Sequence, residues 1–429
     1  MLKQYIKQAF QMLKENRLVS TISITGTAIS VTMIMMVVLV LQVQVANYYP
    51  EEHRDRMLYV ENGTLVRMKE NTGNWNSGNM SIEAVKECFY TLQSPEFVTA
   101  YAISEFTVSL PDKRNYMAHS VKLTDTGFWK VFSFHFVAGA PFTEADVASG
   151  VPQAVITEPL ARRLFGTIDN IVGKEIRLDV KPYRVCGVVE EVSKAAASAF
   201  ADVWIPYTTN ESCQSSFNEN MVGSFRVLLL AKAQGDFDVI RQELKQQITR
   251  YNATKEKYEI SFFENPITQW DKAMGTDGQN FVDWKDFWLE TGGAMLFLLL
   301  VPVLNLLGVT QSFIRKRQAE IGVRKAFGAT SGNIVRQVLY ENGLMSLLGG
   351  MIGLLLSWSL FPLCKDFLLK ASDTTLRAEM LFRPEAFVLA LLFCLLINLL
   401  SAGLPAWWIS RKPIYEALKL SLIHISEPT

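Results

Sequence analysis

Residues 18–48 read LVSTISITGTAISVTMIMMVVLVLQVQVANY and contain no charged side chain. A helix rises about 1.5 Å per residue, so about 20 apolar residues cross a hydrocarbon core about 30 Å thick. A cleavable signal peptide is the alternative, but its apolar region is shorter, and no small-x-small cleavage site follows this stretch. The sequence therefore predicts an uncleaved transmembrane helix at residues 18–48.

Three further apolar stretches lie in the second half of the chain, and none has a charge in its middle. They are residues 291–314, 338–363 and 386–409. Each is long enough for one crossing. The pattern predicts a membrane α-helical protein with four transmembrane helices in a one-plus-three arrangement. Residues 49–290 are then a large domain inserted between the first two helices.

The placement of Lys and Arg predicts an orientation, because short cytoplasmic segments of membrane proteins are enriched in both. Basic clusters occupy residues 1–17, 315–337 and 410–419. These segments, and with them both termini, are expected in the cytoplasm. Residues 49–290 and the link at residues 364–385 are expected on the opposite side. That link also holds basic residues, but neighbouring acidic residues balance them.

Residues 1–17 carry a helical pattern of their own. Ile6, Phe10 and Leu13 recur at helical spacing, with lysines on the flanks. This pattern is typical of a short amphipathic helix on the inner membrane surface. A plain cytoplasmic extension of the first transmembrane helix is the alternative.

The inserted domain mixes strand-like and helical runs, which predicts an α+β fold with two lobes. The predicted strands are residues 65–68, 107–110, 153–156, 183–189 and 225–230. Helices are predicted at residues 81–92, with Ser81 as N-cap, and at residues 236–251. The polar, glycine-containing stretch at residues 71–79 is typical of an exposed loop.

Signals for chemistry are sparse. The 42 basic and 42 acidic residues cancel, so no nucleic-acid partner is indicated. GxxxxGK[ST] and GxGxxG motifs are absent, and no catalytic or metal-ligand spacing is present, so neither an enzyme nor a cofactor is predicted on this chain. Cys88, Cys186 and Cys213 fall in the inserted domain, where one disulfide among them stays open.

Residues 315–337, RKRQAEIGVRKAFGATSGNIVRQ, form a short basic element between two predicted spans. Ile321, Val323 and Phe327 supply apolar contacts, Gly328 is placed to break a helix and Ser331 to cap the next one. One interpretation is an anchor on anionic lipid headgroups. The other is a docking element for a cytoplasmic partner, and composition does not separate the two.

Resemblance of longer motifs to a known family favours the docking element over the lipid anchor. EIGVRKAFGAT (320–330), LLGGMIGLLLS (347–357) and LPAWWISRKPIYEALK (404–419) are similar to the signature of the FtsX-like permease family of ABC transporters. DTGFWKVFSFHFVAGAPFTEADV (125–147) and NIVGKEIRLDVKPYRVCGVVEEV (170–192) resemble the periplasmic core domain of MacB-type proteins. The stretches QAVITEPLARRLFG (153–166) and ADVWIPY (201–207) add to that resemblance.

The resemblance implies a multi-pass permease of the bacterial inner membrane with a periplasmic domain. It also implies a dimer with a second permease copy or homologue, and a separate cytoplasmic ABC ATPase that binds ATP and Mg²⁺. A periplasmic adaptor or outer-membrane channel is a further expected partner. In the family the basic link couples to the ATPase, which makes the coupling residues here Glu320, Gly322, Arg324, Lys325, Gly328 and Ala329.

The expected function is ATP-driven export or extraction of a peptide, lipid or lipoprotein-like substrate. The alternative is a transmembrane signal transmitter that regulates a periplasmic partner, such as a cell-wall hydrolase, without transport. Residues 420–429, LSLIHISEPT, differ in character from the rest. They resemble a translated adapter used in sequencing libraries, so they are expected to be an artefact, with an ordinary short tail as the alternative.

Overall fold

The computed structural model describes most of the chain, and the described positions fall in two compact units. Residues 1–42, 284–370 and 381–429 belong to the first unit, and residues 43–283 and 371–380 to the second. The described residues are 17–61, 64–70, 76–112, 116–262, 265–275, 327–328, 330–369 and 374–381, with 289, 293, 385, 387–389, 391–393 and 395–396 as isolated positions.

Helices and strands alternate through the second unit, whereas only helices are described in the first. The described helices are α1 (Arg17–Val45), α2 (Ile82–Cys88), α3 (Phe128–Val131), α4 (Glu144–Ser149), α5 (Glu158–Phe165), α6 (Glu211–Gln214), α7 (Phe237–Ala253), α8 (Gln269–Ala273), α9 (Ser331–Leu368) and α10 (Ala378–Leu381). The described strands are β1 (Met57–Val60), β2 (Thr64–Met68), β3 (Asn76–Met80), β4 (Phe97–Ser109), β5 (Met117–Thr124), β6 (Phe136–Gly139), β7 (Gln153–Thr157), β8 (Glu175–Leu178), β9 (Lys181–Val189), β10 (Val203–Pro206), β11 (Val222–Gly223), β12 (Arg226–Leu230), β13 (Tyr258–Ser261) and β14 (Ile267–Thr268).

Among the described residues, two helices are long and apolar enough to cross a membrane. Ser20–Val45 of α1 offers 26 such residues and Asn342–Leu368 of α9 offers 27. They fall on the predicted spans at residues 18–48 and 338–363. The predicted spans at residues 291–314 and 386–409 lie outside the described residues, apart from isolated positions, as do residues 1–16 and 410–429.

Small residues let α1 and α9 approach closely within the first unit. A Cβ atom placed on Gly353 would lie 2.6 Å from the carbonyl oxygen of Ala28, and one on Gly349 would lie 2.7 Å from Cβ of Thr27. Thr32 Oγ1 donates a hydrogen bond to the carbonyl oxygen of Ala28 at 2.7 Å and lies 3.2 Å from that of Gly353. Glycine and hydroxylated side chains are the usual means of tight helix packing in membranes.

A large mixed sheet organises the second unit. Its strands follow the order β14-β1-β12-β4-β5-β10-β7-β9-β6, and β8 pairs with β4 and β9. β4 and β5 form a long antiparallel pair from Tyr101↔Thr124 to Val108↔Met117, whereas β10 runs parallel to β5 and β7 parallel to β9. Buried Trp204 packs with the aromatic residues that follow Gly127; the Phe134 and Trp204 ring centroids are 5.2 Å apart.

A second, four-stranded sheet follows the order β11-β3-β2-β13. Its presence corrects the predicted loop at residues 71–79, because Asn76–Met80 form β3 and pair with β2 at Leu65↔Ser77. The sequence of β3 lacks the alternation of polar and apolar residues that predicts a strand, so the pattern did not indicate one here. Both sheets lie in the same compact unit, so the predicted division into two lobes stays a prediction.

The predicted elements with clear apolar patterns are confirmed. Each of the five predicted strands lies on an observed strand, although residues 107–110 are only the end of the thirteen-residue strand β4. Ser81 caps α2, since its side chain accepts a hydrogen bond from the backbone N–H of Ala84. The helix predicted at residues 236–251 is α7. The α+β class of the domain is therefore confirmed.

Candidate functional site

The predicted coupling residues fall at the edge of the described chain. Glu320, Gly322, Arg324, Lys325 and Ala329 lie outside the described residues. Gly328 is described: it lies in a turn with φ of +91°, in the left-handed region that favours glycine, and it is exposed. The predicted break at Gly328 therefore coincides with a turn whose backbone disfavours other residues.

The helix after this turn begins at Ser331, one residue earlier than predicted, because Ser331 was expected to be the N-cap. Thr330, not Ser331, is the N-cap: it has extended backbone angles, and its side chain accepts a hydrogen bond from the N–H of Asn333. Ser331 is the first helical residue. α9 then continues without interruption for 38 residues, about 57 Å at the usual rise. The turn is thus joined directly to a helix long enough to span a membrane.

A second cluster lies in the second unit, on the loop between β9 and β10 (residues 190–202, hereafter the β9–β10 loop). Four basic side chains from distant parts of the chain donate hydrogen bonds to this loop. They are Arg54, Lys122, Lys272 and Arg377. Two of these four lie near a predicted span in the sequence: Arg54 follows the span at residues 18–48, and Arg377 precedes the one at residues 386–409. Lys272 lies in α8.

Arg54 holds the end of α1. Its Nη1 lies 3.0 Å from the carbonyl oxygen of Val43, in the last turn of the helix, and its Nη2 donates to the carbonyl of Ala195 at 2.9 Å. The last carbonyls of a helix lack partners within the helix, and a cation is favourable there. Arg54 therefore ties the end of α1 to the β9–β10 loop.

Glu51 completes this contact as a buried ion pair. Its Oε2 lies 2.5 Å from Nε of Arg54, with exposed fractions of 1% and 2%, and its Oε1 accepts from the backbone N–H of Ala199 at 2.8 Å. Burial disfavours the charged form of Arg54, but Glu51, Tyr48 and Tyr59 together outweigh that effect and raise the pKa of Arg54 above its ordinary value. Arg54 therefore keeps its charge in the interior.

Lys122 and Lys272 bind the middle of the loop. Lys122 Nζ donates to the carbonyl of Ala197 at 2.9 Å and also to that of Ser198. Burial lowers the pKa of Lys122 to about 7, partly opposed by Glu51 and Glu61. Lys272 Nζ lies 2.8 Å from Oγ of Ser198 and 2.8 Å from Oε1 of Glu61. The same loop therefore also contacts the helix α8.

Arg377 binds the start of the loop from the link after α9. Its Nη2 donates to Oε2 of Glu190 at 2.9 Å and to the carbonyl of Glu191 at 3.0 Å. Ser193 Oγ donates to the carbonyl of Thr375 at 2.6 Å. The Arg377 guanidinium also lowers the pKa of Glu190. The β9–β10 loop thus meets three segments that lie far from it in the sequence, and we call this cluster of contacts the junction.

Glu61 makes part of the junction sensitive to acid. Burial would raise its pKa, but the ion pair with Lys272 and the hydrogen bond from Tyr101 lower it to about 2. Because the folded-state pKa is below the unfolded value, the stabilisation is complete above about pH 4.5 and is lost as the pH falls towards 2, by about 3 kcal/mol in all. The melting temperature of the full chain in nanodiscs should fall over this range.

Glu61→Gln should flatten that pH profile, whereas Glu105→Gln, at an exposed position on β4, should leave it unchanged. Melting curves followed by tryptophan fluorescence between pH 6 and pH 3 measure the difference. Parallel profiles for the wild type and Glu61→Gln would contradict the assignment.

Sequence reasoning missed the junction. It counted the basic residues of the link at residues 364–385 only as balanced by acidic neighbours, and it gave no role to the loop after the strand predicted at residues 183–189. The open disulfide is not formed: Cys88, Cys186 and Cys213 are free, and burial raises the pKa of each thiol to about 12. Among the described residues, no group of His, Cys, Asp and Glu is placed to hold a metal ion.

Comparison with known proteins identifies the family. The sequence profile of the MacB-like periplasmic core domain matches residues 20–247, more than half of the chain, and that of the FtsX-like permease C-terminal region matches residues 292–414. The chain belongs to the FtsX-like permeases with a MacB-like periplasmic core domain. The family prediction is confirmed: this is an ABC transporter permease family of the inner membrane, with a periplasmic α+β domain.

Individual relatives of this permease are distant. The macrolide export ATP-binding/permease protein MacB of Burkholderia lata is 27% identical over 292 residues, which cover 68% of this chain and 39% of the relative. The pyoverdine export ATP-binding/permease protein PvdT of Pseudomonas savastanoi pv. phaseolicola is 27% identical over 238 residues, 54% of this chain and 34% of the relative. The permease thus spans about two fifths or less of the length of these relatives.

One similar solved structure is the periplasmic region of MacB from Actinobacillus actinomycetemcomitans. It is 16% identical, with a TM-score of 0.34, and the match covers 47% of this chain and 90% of that one.

Proposed function

We propose that this permease transmits ATP-driven motion from a separate cytoplasmic ATPase, which binds ATP and Mg²⁺, to its periplasmic domain. The motion would export or extract a peptide, lipid or lipoprotein-like substrate. Four transmembrane helices, cytoplasmic termini and a dimer with a second permease belong to the proposal, with a periplasmic adaptor or outer-membrane channel as a further partner. Both relatives are named as export proteins, which favours transport over regulation of a cell-wall hydrolase.

The junction is the observation that carries this proposal. A domain that is moved by membrane helices needs firm attachment where the chain passes from helix to domain. Arg54 and Arg377 supply such attachments, Lys272 adds a contact from α8, and all three bind one loop. Their charge-assisted hydrogen bonds are stronger than neutral ones, and two of the donors are largely shielded from solvent. Movement of any one segment would therefore displace the same part of the domain.

The cytoplasmic end of the proposed pathway is the turn at Gly328. Glu320, Gly322, Arg324, Lys325, Gly328 and Ala329 are the proposed contacts to the ATPase. Phe327 exposes 88% of its side chain beside Gly328, which suits insertion into a groove of a partner. Because α9 begins at Ser331, a push on the turn would act on the long helix itself.

The variant Arg377→Gln tests the junction, which is the periplasmic end of the proposed pathway. The variant loses the contacts to Glu190 and to the carbonyl of Glu191, so we expect transport to fall by about fivefold to tenfold while ATP hydrolysis continues. The assay is ATP-dependent substrate movement by the permease and its ATPase in proteoliposomes, with phosphate release measured in parallel.

Arg162→Gln is the matched control, because Arg162 pairs with Glu158 on the exposed face of α5, away from the junction. It should leave both activities unchanged. Equal transport by Arg377→Gln and Arg162→Gln would argue against a role of the junction in transmission.

A further inference from the structure

A cavity of about 870 Å³ lies beside the four-stranded sheet, away from the β9–β10 loop. One wall is α7 and another is β13, and the segment at residues 265–271 closes one end. Apolar parts of the wall come from Leu244, Ile248 and Phe262. A volume of this size accommodates a ligand of several hundred daltons.

Asn265 is an unpartnered polar group in this cavity. Only 7% of the residue is exposed, and within the described part of the chain neither Oδ1 nor Nδ2 of its side chain has a hydrogen-bond partner. Its backbone N–H, in contrast, donates to the carbonyl of Phe262 at 2.7 Å. Leaving a buried amide unpaired costs about 1–3 kcal/mol, so such groups usually mark a site that something else fills.

A second asparagine in the same wall shows what such an amide can bind. Nδ2 of Asn252 donates to the carbonyl of Ile260 at 2.8 Å, and its Oδ1 accepts from the N–H of Ile260 at 2.9 Å. One side-chain amide thus satisfies both polar groups of one backbone residue. The Asn265 amide offers the same donor and acceptor, and among the described residues no backbone group is bonded to it.

Three cations line the cavity, and two of them are paired with acids. Glu259 pairs with Arg67, and Asp271 accepts hydrogen bonds from the N–H and hydroxyl of Thr268 at 2.9 and 2.7 Å. Arg241 is held by the carbonyl of Pro266 and pairs with an exposed acid on its own helix. Lys245, exposed at the rim, has no ion-pair partner in the described part of the chain.

We propose that this cavity binds a short peptide segment that ends in a free carboxylate. Asn265 would bind a backbone amide of the peptide, Lys245 its carboxylate, and the apolar wall one of its side chains. The use of this site by transport rests on the proposed function, whereas binding itself does not. Asp271 also lies in α8 beside Lys272, which donates a hydrogen bond to Ser198 of the β9–β10 loop, so a ligand in the cavity would lie one residue from the junction.

The test measures peptide retention by the full chain in nanodiscs, without ATPase or nucleotide. The probe is a defined pool of N-acetylated pentapeptides with free C-termini, and the comparison is the same pool with amidated C-termini. We expect the free-acid pool to be retained. Lys245→Gln should weaken its binding by about fivefold without affecting the amidated pool, and Asn265→Ala should weaken both by about tenfold.

Arg250→Gln is the matched control, since Arg250 is an exposed cation on α7 that does not line the cavity. It should not change retention. Asn265→Ala should also melt no lower than the wild type without peptide, because it removes an unpaired buried amide. The same pentapeptides are also tested as fusions to the C-terminus of an inert carrier protein. Retention of the fusions would indicate that the site binds the C-terminal tail of a protein partner. Retention of the free peptides alone would indicate a free peptide as the ligand.

The inference is overturned if the free-acid pool is not retained, or if Asn265→Ala binds it as well as Arg250→Gln does. Because the assay contains no ATPase, failure here leaves the proposed transport function untouched. Loss of transport with normal peptide retention would, conversely, leave the site intact and reject the proposed function.

Discussion

Arg54→Met is expected to destabilise the second unit by about 3–5 kcal/mol, because it leaves Glu51 buried without its partner. The same change removes the donor to the last carbonyls of α1 and to the carbonyl of Ala195. The measurement is thermal unfolding of the full chain in nanodiscs, together with the trypsin sensitivity of the domain. We expect a large fall in melting temperature and rapid cleavage.

Arg56→Met is the control for this experiment. Arg56 is only two residues away, but its pair with Glu96 is partly exposed, and such pairs contribute about 1 kcal/mol or less. The double variant Glu51→Gln/Arg54→Met should recover part of the stability lost by Arg54→Met alone, since no buried charge remains unpaired. An Arg54→Met protein as stable as Arg56→Met would contradict the buried-pair assignment.

Gly328→Pro is expected to reduce transport by about tenfold or more, while the ATPase remains active and the permease inserts into the membrane normally. Proline requires φ near −65°, whereas Gly328 has φ of +91°. The turn must therefore change shape, and with it the presentation of Phe327 and the start of α9. Transport and ATP hydrolysis are measured on the same proteoliposomes.

Gly332→Ala serves as the matched control, because Gly332 lies in the first turn of α9 and an added Cβ meets no atom within 4 Å. Alanine is a better helix former than glycine, so this variant should transport normally. If Gly328→Pro also transported normally, the turn would have no part in coupling.

Sequence patterns predicted the elements of this fold better than its contacts. The first span, α7 and the Ser81 cap follow from local periodicity and capping chemistry, which act within a few residues. β3 was missed because Asn76–Met80 carries little apolar alternation and is held by pairing with β2. The Thr330 cap was missed by one residue, which local propensity does not resolve because Thr and Ser both cap helices.

The junction was beyond sequence reasoning for a physical reason. Arg54, Lys122 and Arg377 reach loop residues that are 141, 75 and 187 positions away in the chain. Most of their acceptors are backbone carbonyls, which every residue carries and which leave no mark in the sequence. Resemblance, not spacing, pointed to the coupling residues, and only Gly328 among the six lies within the described chain.

Hydrogen–deuterium exchange of the β9–β10 loop tests the central claim most directly. The permease and its ATPase are compared in nanodiscs with ATP under non-hydrolysing conditions and with ADP. If motion passes from the turn at Gly328 through the helices to the junction, exchange of residues 190–202 should differ between the two nucleotides. The Gly328→Pro variant should lose that difference. Identical exchange of this loop in both nucleotide states, with ATP hydrolysis and transport intact, would contradict the claim that motion passes from the turn to the junction.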